Sequence, residues 1–285
     1  MPNLEIVIWD VQHGNATYIK TPDGKHFVQD LGTGSYGENR SEFSPLLYLK
    51  NRYKVERLNG VIVTHPHRDH LDDIFNFDAL SPHVFSRPKH LTAEEVNAGN
   101  RERDVEVVEK YLEIDAKYTY PVPEDENPFL PDNNGGVRFQ KFLPTSCATS
   151  NLNNHSIVTI VEYVGVKFIL PGDNEPASWR ELLEQTDFGS VISDAELLLA
   201  PHHGRDSGFC SDIFDDFNPL LTIISDGRFC DTSATARYGK VTQGWNVQRR
   251  SGDTVERKCV TTRNDGVIVV KIGAYYDGNI EVTID

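Results

Sequence analysis

Short apolar runs, rich in β-branched side chains and each ending abruptly on polar or ionisable residues, most constrain how this chain can fold. Residues 5–9 end on Asp10, and Gly60-Val61-Ile62-Val63 ends on Thr64-His65. Residues 166–170 end on Pro171-Gly172-Asp173, residues 196–200 on Pro201-His202-His203, and residues 221–224 on Ser225-Asp226-Gly227. Runs this short, apolar on consecutive positions, are expected to form strands buried on both faces. Turn chemistry joins some of them into hairpins. Residues 16–20 and 25–29 flank Thr21-Pro22-Asp23-Gly24, and residues 156–163 and 166–170 flank Val164-Gly165. Helices fit between: Ser44-Pro45 supplies a cap and an N-terminal proline, Thr92-Ala93-Glu94-Glu95 is a capping box, and residues 176–185 carry Trp179, Leu182 and Leu183 at helical spacing. Strand hairpins followed by helices, twice over, predict a layered α/β sandwich of two similar halves.

At 285 residues, with 38% hydrophobic and 25% charged residues, the chain has the composition of a globular protein with ample core. No Gly/Ser/Pro linker divides it, so one domain over 1–285 is expected. No run of about 18 apolar residues is present, and residues 1–6 lack a basic segment followed by an apolar one. A cytoplasmic location and no membrane partner are the expectations. Cys147, Cys210, Cys230 and Cys259 lie far apart without Cys-x-x-Cys spacing, which fits reduced thiols better than a disulfide framework or a thiolate zinc site. The net charge of −15 opposes non-specific binding of polyanions. The charge is uneven, however. Residues 101–132 are acid-rich, whereas residues 228–263 are basic and are expected to guide an anionic substrate into a cleft.

The chemistry concentrates in Thr64-His65-Pro66-His67-Arg68-Asp69-His70, directly after a strand. Histidines two apart in an extended segment project to the same side, so His65 and His67 can grip one cation. Asp69 and His70, on the following turn, can reach a second. Three imidazoles this close would repel one another on protonation, a conflict that a metal removes. His155, His202 and His203 also fall at or beside the ends of apolar runs, and Asp173 sits where a carboxylate can bridge two cations. If these runs are neighbouring strands, all the ends meet at one edge of the sandwich. Imidazole and carboxylate without thiolate suit zinc, manganese or iron.

These residues resemble those of the metallo-β-lactamase fold superfamily, through His65-Pro66-His67-Arg68-Asp69-His70 and Asp173. More narrowly, the chain is similar to the hydrolase domain of ComEC-type competence proteins and their free-standing relatives. That likeness rests on Asp10-Val11-Gln12-His13-Gly14-Asn15, Thr21-Pro22-Asp23-Gly24-Lys25, Asn153-Asn154-His155-Ser156, Leu170-Pro171-Gly172-Asp173, Pro201-His202-His203-Gly204 and Thr262-Arg263-Asn264-Asp265-Gly266. It covers nearly the whole chain, with residues 85–140 the most individual part. The resemblance implies a four-layer αβ/βα sandwich holding two divalent metal ions, zinc or manganese. By position, His65 and His67 match ligands of the first metal, Asp69 and His70 those of the second, and Asp173 the bridging carboxylate. One of His202 and His203 matches the last ligand of the second metal, and His155 is a candidate for the third ligand of the first. Asp30 matches an aspartate that orients the ligand imidazoles from behind.

The implied reaction is hydrolysis by water made nucleophilic between two cations, with Asp69 or Asp173 accepting its proton. Lys240, Arg205 and Arg263 are the expected phosphate-binding residues. Two departures from the ComEC-type pattern stand out: Gln12-His13-Gly14-Asn15 where Gly-Gln-Gly-Asp is common, and Tyr238-Gly239-Lys240-Val241 where Tyr-Gly-His-Pro is common. A phosphodiesterase or nuclease acting on nucleic acid or another anionic phosphodiester is therefore the leading expectation. A hydrolase of a small ester, lactone or thioester is the alternative, favoured by the acidity of the whole chain. A metal-binding regulatory module active only with a partner protein is the third, prompted by the two departures.

Overall fold

The computed structural model of the chain describes residues 3–34, 43–215, 217–227 and 232–285. Along the chain, β1 (Leu4–Ile8), β2 (Thr17–Lys20), β3 (His26–Gln29), β4 (Gly60–Ile62) and β5 (Val84–Ser86) enter a first sheet. A second sheet takes β6 (Arg138–Phe142), β7 (Val158–Tyr163), β8 (Val166–Leu170), β9 (Leu197–Leu199) and β10 (Leu221–Ile224). The chain returns to the first sheet with β11 (Trp245–Arg249) and β12 (Thr254–Arg257), to the second with β13 (Cys259–Thr261), and to the first with β14 (Ile268–Ile272) and β15 (Ile280–Ile284). The strand orders are β12-β11-β15-β14-β1-β2-β3-β4-β5 and β13-β10-β9-β8-β7-β6.

The predicted turns set the registers. In the β2–β3 hairpin the Thr21 hydroxyl donates to Asp23 (2.6 Å) and the Gly24 N–H to the Thr21 carbonyl, which pairs Lys20 with His26 and Thr17 with Gln29. Helix α1 (Pro45–Asn51) starts at Ser44, whose side chain accepts from the Leu47 N–H. Helix α2 (Ala93–Gly99) starts at the Thr92–Glu95 capping box, with both reciprocal bonds made. The remaining helices are α3 (Val105–Asp115), α4 (Pro176–Leu183), α5 (Phe188–Ile192), α6 (Thr235–Val241) and α7 (Thr262–Asp265).

Alternation along the strands divides the core into three. Ile6, Ile8, Phe168, Leu170 and Leu197 face inward and pack sheet on sheet. Val7, Trp9 and Tyr18 point the other way, beneath Leu46 and Leu49 of α1 and Val108 and Tyr111 of α3. Ile160, Ile169 and Leu198 cover the outer face of the second sheet beneath Trp179 and Leu182 of α4 and Tyr238 of α6. Each fully buried side chain of this size contributes about 1.5–3 kcal/mol. Helices on sheet on sheet on helices is the four-layer αβ/βα sandwich. No helix among the described residues is long and apolar enough to cross a membrane.

Strand direction places the site. Antiparallel pairing of β1 with β2 and of β2 with β3 makes β1 and β3 run the same way, and β4 joins β3 in parallel. The C-terminal ends of β1, β3 and β4 therefore share one rim. In the second sheet β8, β9 and β10 are mutually parallel and end together. A backbone bond draws the two rims together, Ile157 N–H to the Thr64 carbonyl (2.9 Å), and another ties the ends of β8 and β9 within the second sheet, His202 N–H to the Gly172 carbonyl (3.1 Å).

Candidate active site

Asp30, directly after β3, organises the first-sheet side. It is fully buried, has φ of +60°, and its Oδ1 accepts from the Thr64 N–H (2.8 Å) and the Thr64 hydroxyl (2.9 Å). Its Oδ2 accepts from Asn15 Nδ2 (3.1 Å) and from His70 Nδ1 (2.8 Å). A carboxylate on Nδ1 fixes the His70 tautomer and leaves the Nε2 lone pair free for a cation. Nε2 of His70 points to Asp173 Oδ1 (3.2 Å) and to His203 Nε2 (3.4 Å). His203 Nε2 also lies 3.2 Å from Asp69 Oδ2 and 3.3 Å from Asp173 Oδ2. Asp69, His70, Asp173 and His203 thus present one ligand atom each within 4.8 Å of one another.

A second convergence lies beside the first. The backbone at His67 is extended (φ −90°, ψ 152°), and His65 Nε2 and His67 Nδ1 stand 3.0 Å apart. Asp173 Oδ2 is 4.0 Å from His65 Nε2, so one carboxylate serves both groups of imidazoles. Asp173 is placed by the left-handed Gly172 (φ +63°) at the end of β8, and its N–H donates to Ser156 Oγ (3.0 Å).

The electrostatics show why this donor set fits a cation. Burial disfavours charge on His70, but the carboxylates of Asp173 and Asp30 outweigh it and hold its pKa well above the usual imidazole range. For His203, burial again opposes, and Asp173 and Asp69 raise the pKa to about 9. Burial likewise opposes ionisation of Asp69 and Asp173, yet His203 and His70 hold both carboxyls well below the usual range. Two buried carboxylates are therefore satisfied by protons on imidazoles whose Nε2 atoms face each other, an arrangement a divalent cation replaces directly. His65, by contrast, is pushed well below its usual pKa by burial and by its histidine neighbours, so it is held neutral, the state that metal binding needs.

The structure also separates residues that the sequence leaves together. His203 joins the cluster, whereas His202 turns its Nδ1 to Glu175 (3.3 Å) and Ser207 Oγ (2.9 Å) and keeps Nε2 3.9 Å from Asp173. Both residues occupy left-handed backbone (φ +49° and +54°), which sends adjacent side chains in different directions. His155 is fully buried but pairs with His90 (Nδ1 to Nε2, 2.9 Å), and none of the convergent contacts described above involves it. His90 comes from residues 85–140, so this pairing has no local signal. Arg205 lines the cleft above the cluster and reaches His13 (Nη2 to Nδ1, 3.1 Å). Arg263 instead turns to Asp226 (3.5 Å), and Lys240 is exposed on α6, away from the cleft lining.

Among the described residues 232–263, no side chain is part of the cleft wall. Arg237, Arg250 and Arg257 pair with Asp206, Asp285 and Asp265. Arg228 lies outside the described residues. The cleft is lined instead by Arg68, Arg205, Arg101 and Arg103, the last two hidden by composition inside an acid-rich stretch. His13 is drawn in as well, 3.3 Å from Asp69, with burial and the nearby His203 lowering its pKa to about 4.

The profile of the metallo-β-lactamase superfamily matches residues 9–212. ComE operon protein 3 of Bacillus subtilis (strain 168) is 24% identical over 245 residues, covering 79% of this chain, and the chain spans only 28% of the length of that relative. Among solved structures, a diphosphatase from the PhnP family is 10% identical over 90% or more of both chains (94% and 97%) with a TM-score of 0.44. AidC, a dizinc quorum-quenching lactonase, is 16% identical over 63% of this chain and 68% of its own, with a TM-score of 0.38. The chain belongs to the metallo-β-lactamase superfamily.

Proposed function

We propose that the chain hydrolyses phosphodiester bonds in an anionic substrate such as nucleic acid, using two divalent cations, zinc or manganese. The observation that carries this reading is the wall of the cleft. Among the described residues it is made of arginine, asparagine, histidine and aspartate side chains and one glycine, with no apolar side chain. Hydrolases of acyl esters, thioesters or lactones need an apolar surface for the acyl portion. Arginine suits phosphate oxygens, which its planar fork can bind in pairs.

Asp69, His70, Asp173 and His203 would hold one cation, and His65, His67 and Asp173 the other. When bound, such cations supply Lewis acidity and lower the pKa of water. Asp30 keeps His70 oriented throughout. Of the two carboxylates in the cluster, Asp69 is the more open (17% against 5% side-chain exposure) and faces the cleft, so it is the group placed to take a proton from the attacking water. Arg205, at the cleft wall beside His13, is placed to bind the phosphoryl oxygens.

The test is turnover by the purified protein with manganese or zinc on three substrates: a single-stranded oligodeoxynucleotide, a chromogenic phosphodiester, and an aliphatic lactone or thioester. Phosphodiester cleavage that disappears in His67→Ala is expected. Turnover confined to the lactone or thioester overturns the reading.

A further inference from the structure

We infer that Arg101 and Arg103, with Arg68, form a rim that grips the phosphates flanking the one being cleaved, so that the preferred substrate is a phosphodiester chain rather than an isolated diester. This inference rests on the phosphodiesterase reading of the same cleft.

The cleft has a volume of about 250 Å³. Pockets that enclose a drug-sized ligand run to about 300–1,000 Å³, so this one holds a reacting group and little more. Further binding energy has to come from the mouth.

The mouth is built for anions. Arg101 and Arg103 lie between the end of α2 at Gly99 and the start of α3 at Val105. Asn100 pins this link to the ligand-bearing segment: its Nδ2 donates to the Pro66 carbonyl (2.9 Å) and to the Val96 carbonyl (2.9 Å). Asp104, 6% exposed, accepts from Arg68 (3.2 Å) and lies 3.9 Å from Arg103. Arg68 also pairs with Asp72 (2.8 Å), so two carboxylates face Arg68 and Arg103, and Arg101 adds a third guanidinium to the cleft wall. Arg103 keeps 65% of its side chain exposed, and Arg101 is also exposed. Glu102 and Glu106, two of the acids that make this stretch negative on average, are exposed and absent from the cleft lining. In a chain of net charge −15, a local cationic rim at the cleft marks where a polyanion is accepted while the remaining surface repels it.

Two measurements on Arg101→Ala/Arg103→Ala test the rim, with Lys50→Ala/Lys117→Ala as a control that removes equal charge from exposed positions outside the cleft wall. The first is the ratio of kcat/KM for a 12-residue single-stranded oligodeoxynucleotide to that for the chromogenic phosphodiester. The second is fluorescence anisotropy of the labelled oligonucleotide across a salt series. Loss of the rim is expected to lower the ratio about tenfold and to flatten the log–log salt dependence of binding by about one unit, since each phosphate contact on a single strand contributes roughly 0.7. The control is expected to change neither. An unchanged ratio and slope, with oligonucleotide still cleaved, overturns the rim but leaves the phosphodiesterase reading standing. Binding that depends on the two arginines without cleavage overturns the phosphodiesterase reading but leaves the rim standing. An oligonucleotide neither bound nor cleaved overturns both.

Discussion

Asp30 never reaches the cleft, yet it accepts from Thr64, Asn15 and His70 at once and so fixes the direction of a ligand. Asp30→Asn keeps the shape, and asparagine tolerates the left-handed backbone, but its amide cannot serve every donor. Loss of such an orienting partner costs about 10–100-fold in metal affinity, measurable by competition with a chromogenic chelator. His203→Ala is expected to lower affinity more than His202→Ala, because only His203 contacts both Asp69 and Asp173 at close range. The reverse order would sink the assignment. Spacing alone makes His65, His67, Asp69 and His70 legible, since they sit on one short extended segment and its turn. It does not resolve His202 from His203, because the outcome depends on two left-handed residues that adjacent imidazoles do not announce. It also leaves His155 open, since its partner His90 is 65 residues away in sequence.

At the scale of elements, the apolar runs identify β1, β4, β8, β9 and β10 because strands buried on both faces must be apolar on consecutive residues. The hairpins and the three helix starts are legible for an equally local reason, their caps and turn residues. Apart from the start of α2, residues 85–133 are not, since α3 and the short turns around it are held by distant partners, as Asp115 is by Arg87. The positive rim of the cleft was hidden there for the same reason: average charge over a stretch says nothing about which members face inward. The junction of the two sheets is the most constrained turn. A Cβ at Gly172 would stand 2.7 Å from Thr64 Cβ and 2.9 Å from Ser156 Cβ, at a backbone φ of +63°. Gly172→Ala therefore combines overpacking with a disfavoured conformation, and is expected to cost about 2–4 kcal/mol. Thermal unfolding should show a Tm lower by about 4–10 °C, and metal affinity should fall with it because Asp173 is the next residue. An unchanged Tm would mean that the two rims are not locked at this glycine.

For the molecule as a whole, the cluster couples folding, protons and metal. With metal removed by chelation, the fold keeps a proton on His203 up to about pH 9 and holds His70 above its usual range, whereas the unfolded chain sheds both near 6.5. Between those limits the unfolded chain binds fewer protons than the fold, so stability falls as pH rises. That stabilisation is fully present below about pH 6.5 and is lost as pH climbs through 9. On the acid side the signs reverse. Asp69 and Asp173 are held below their usual values, so their contribution is present above about pH 4 and is lost as pH falls further. Neutral His65 begins to cost stability as soon as pH drops below about 6.5. A cation replaces the protons between the carboxylates, so binding strengthens over the window in which the chelated fold weakens. Melting curves at pH 6.5, 7.5 and 9 should then show Tm declining with chelator, and flat or rising with a small excess of manganese or zinc. General repulsion within a chain of charge −15 also grows with pH, but a stoichiometric cation would not cancel it. A decline that metal leaves untouched would therefore assign the pH dependence to the surface and not to the cluster.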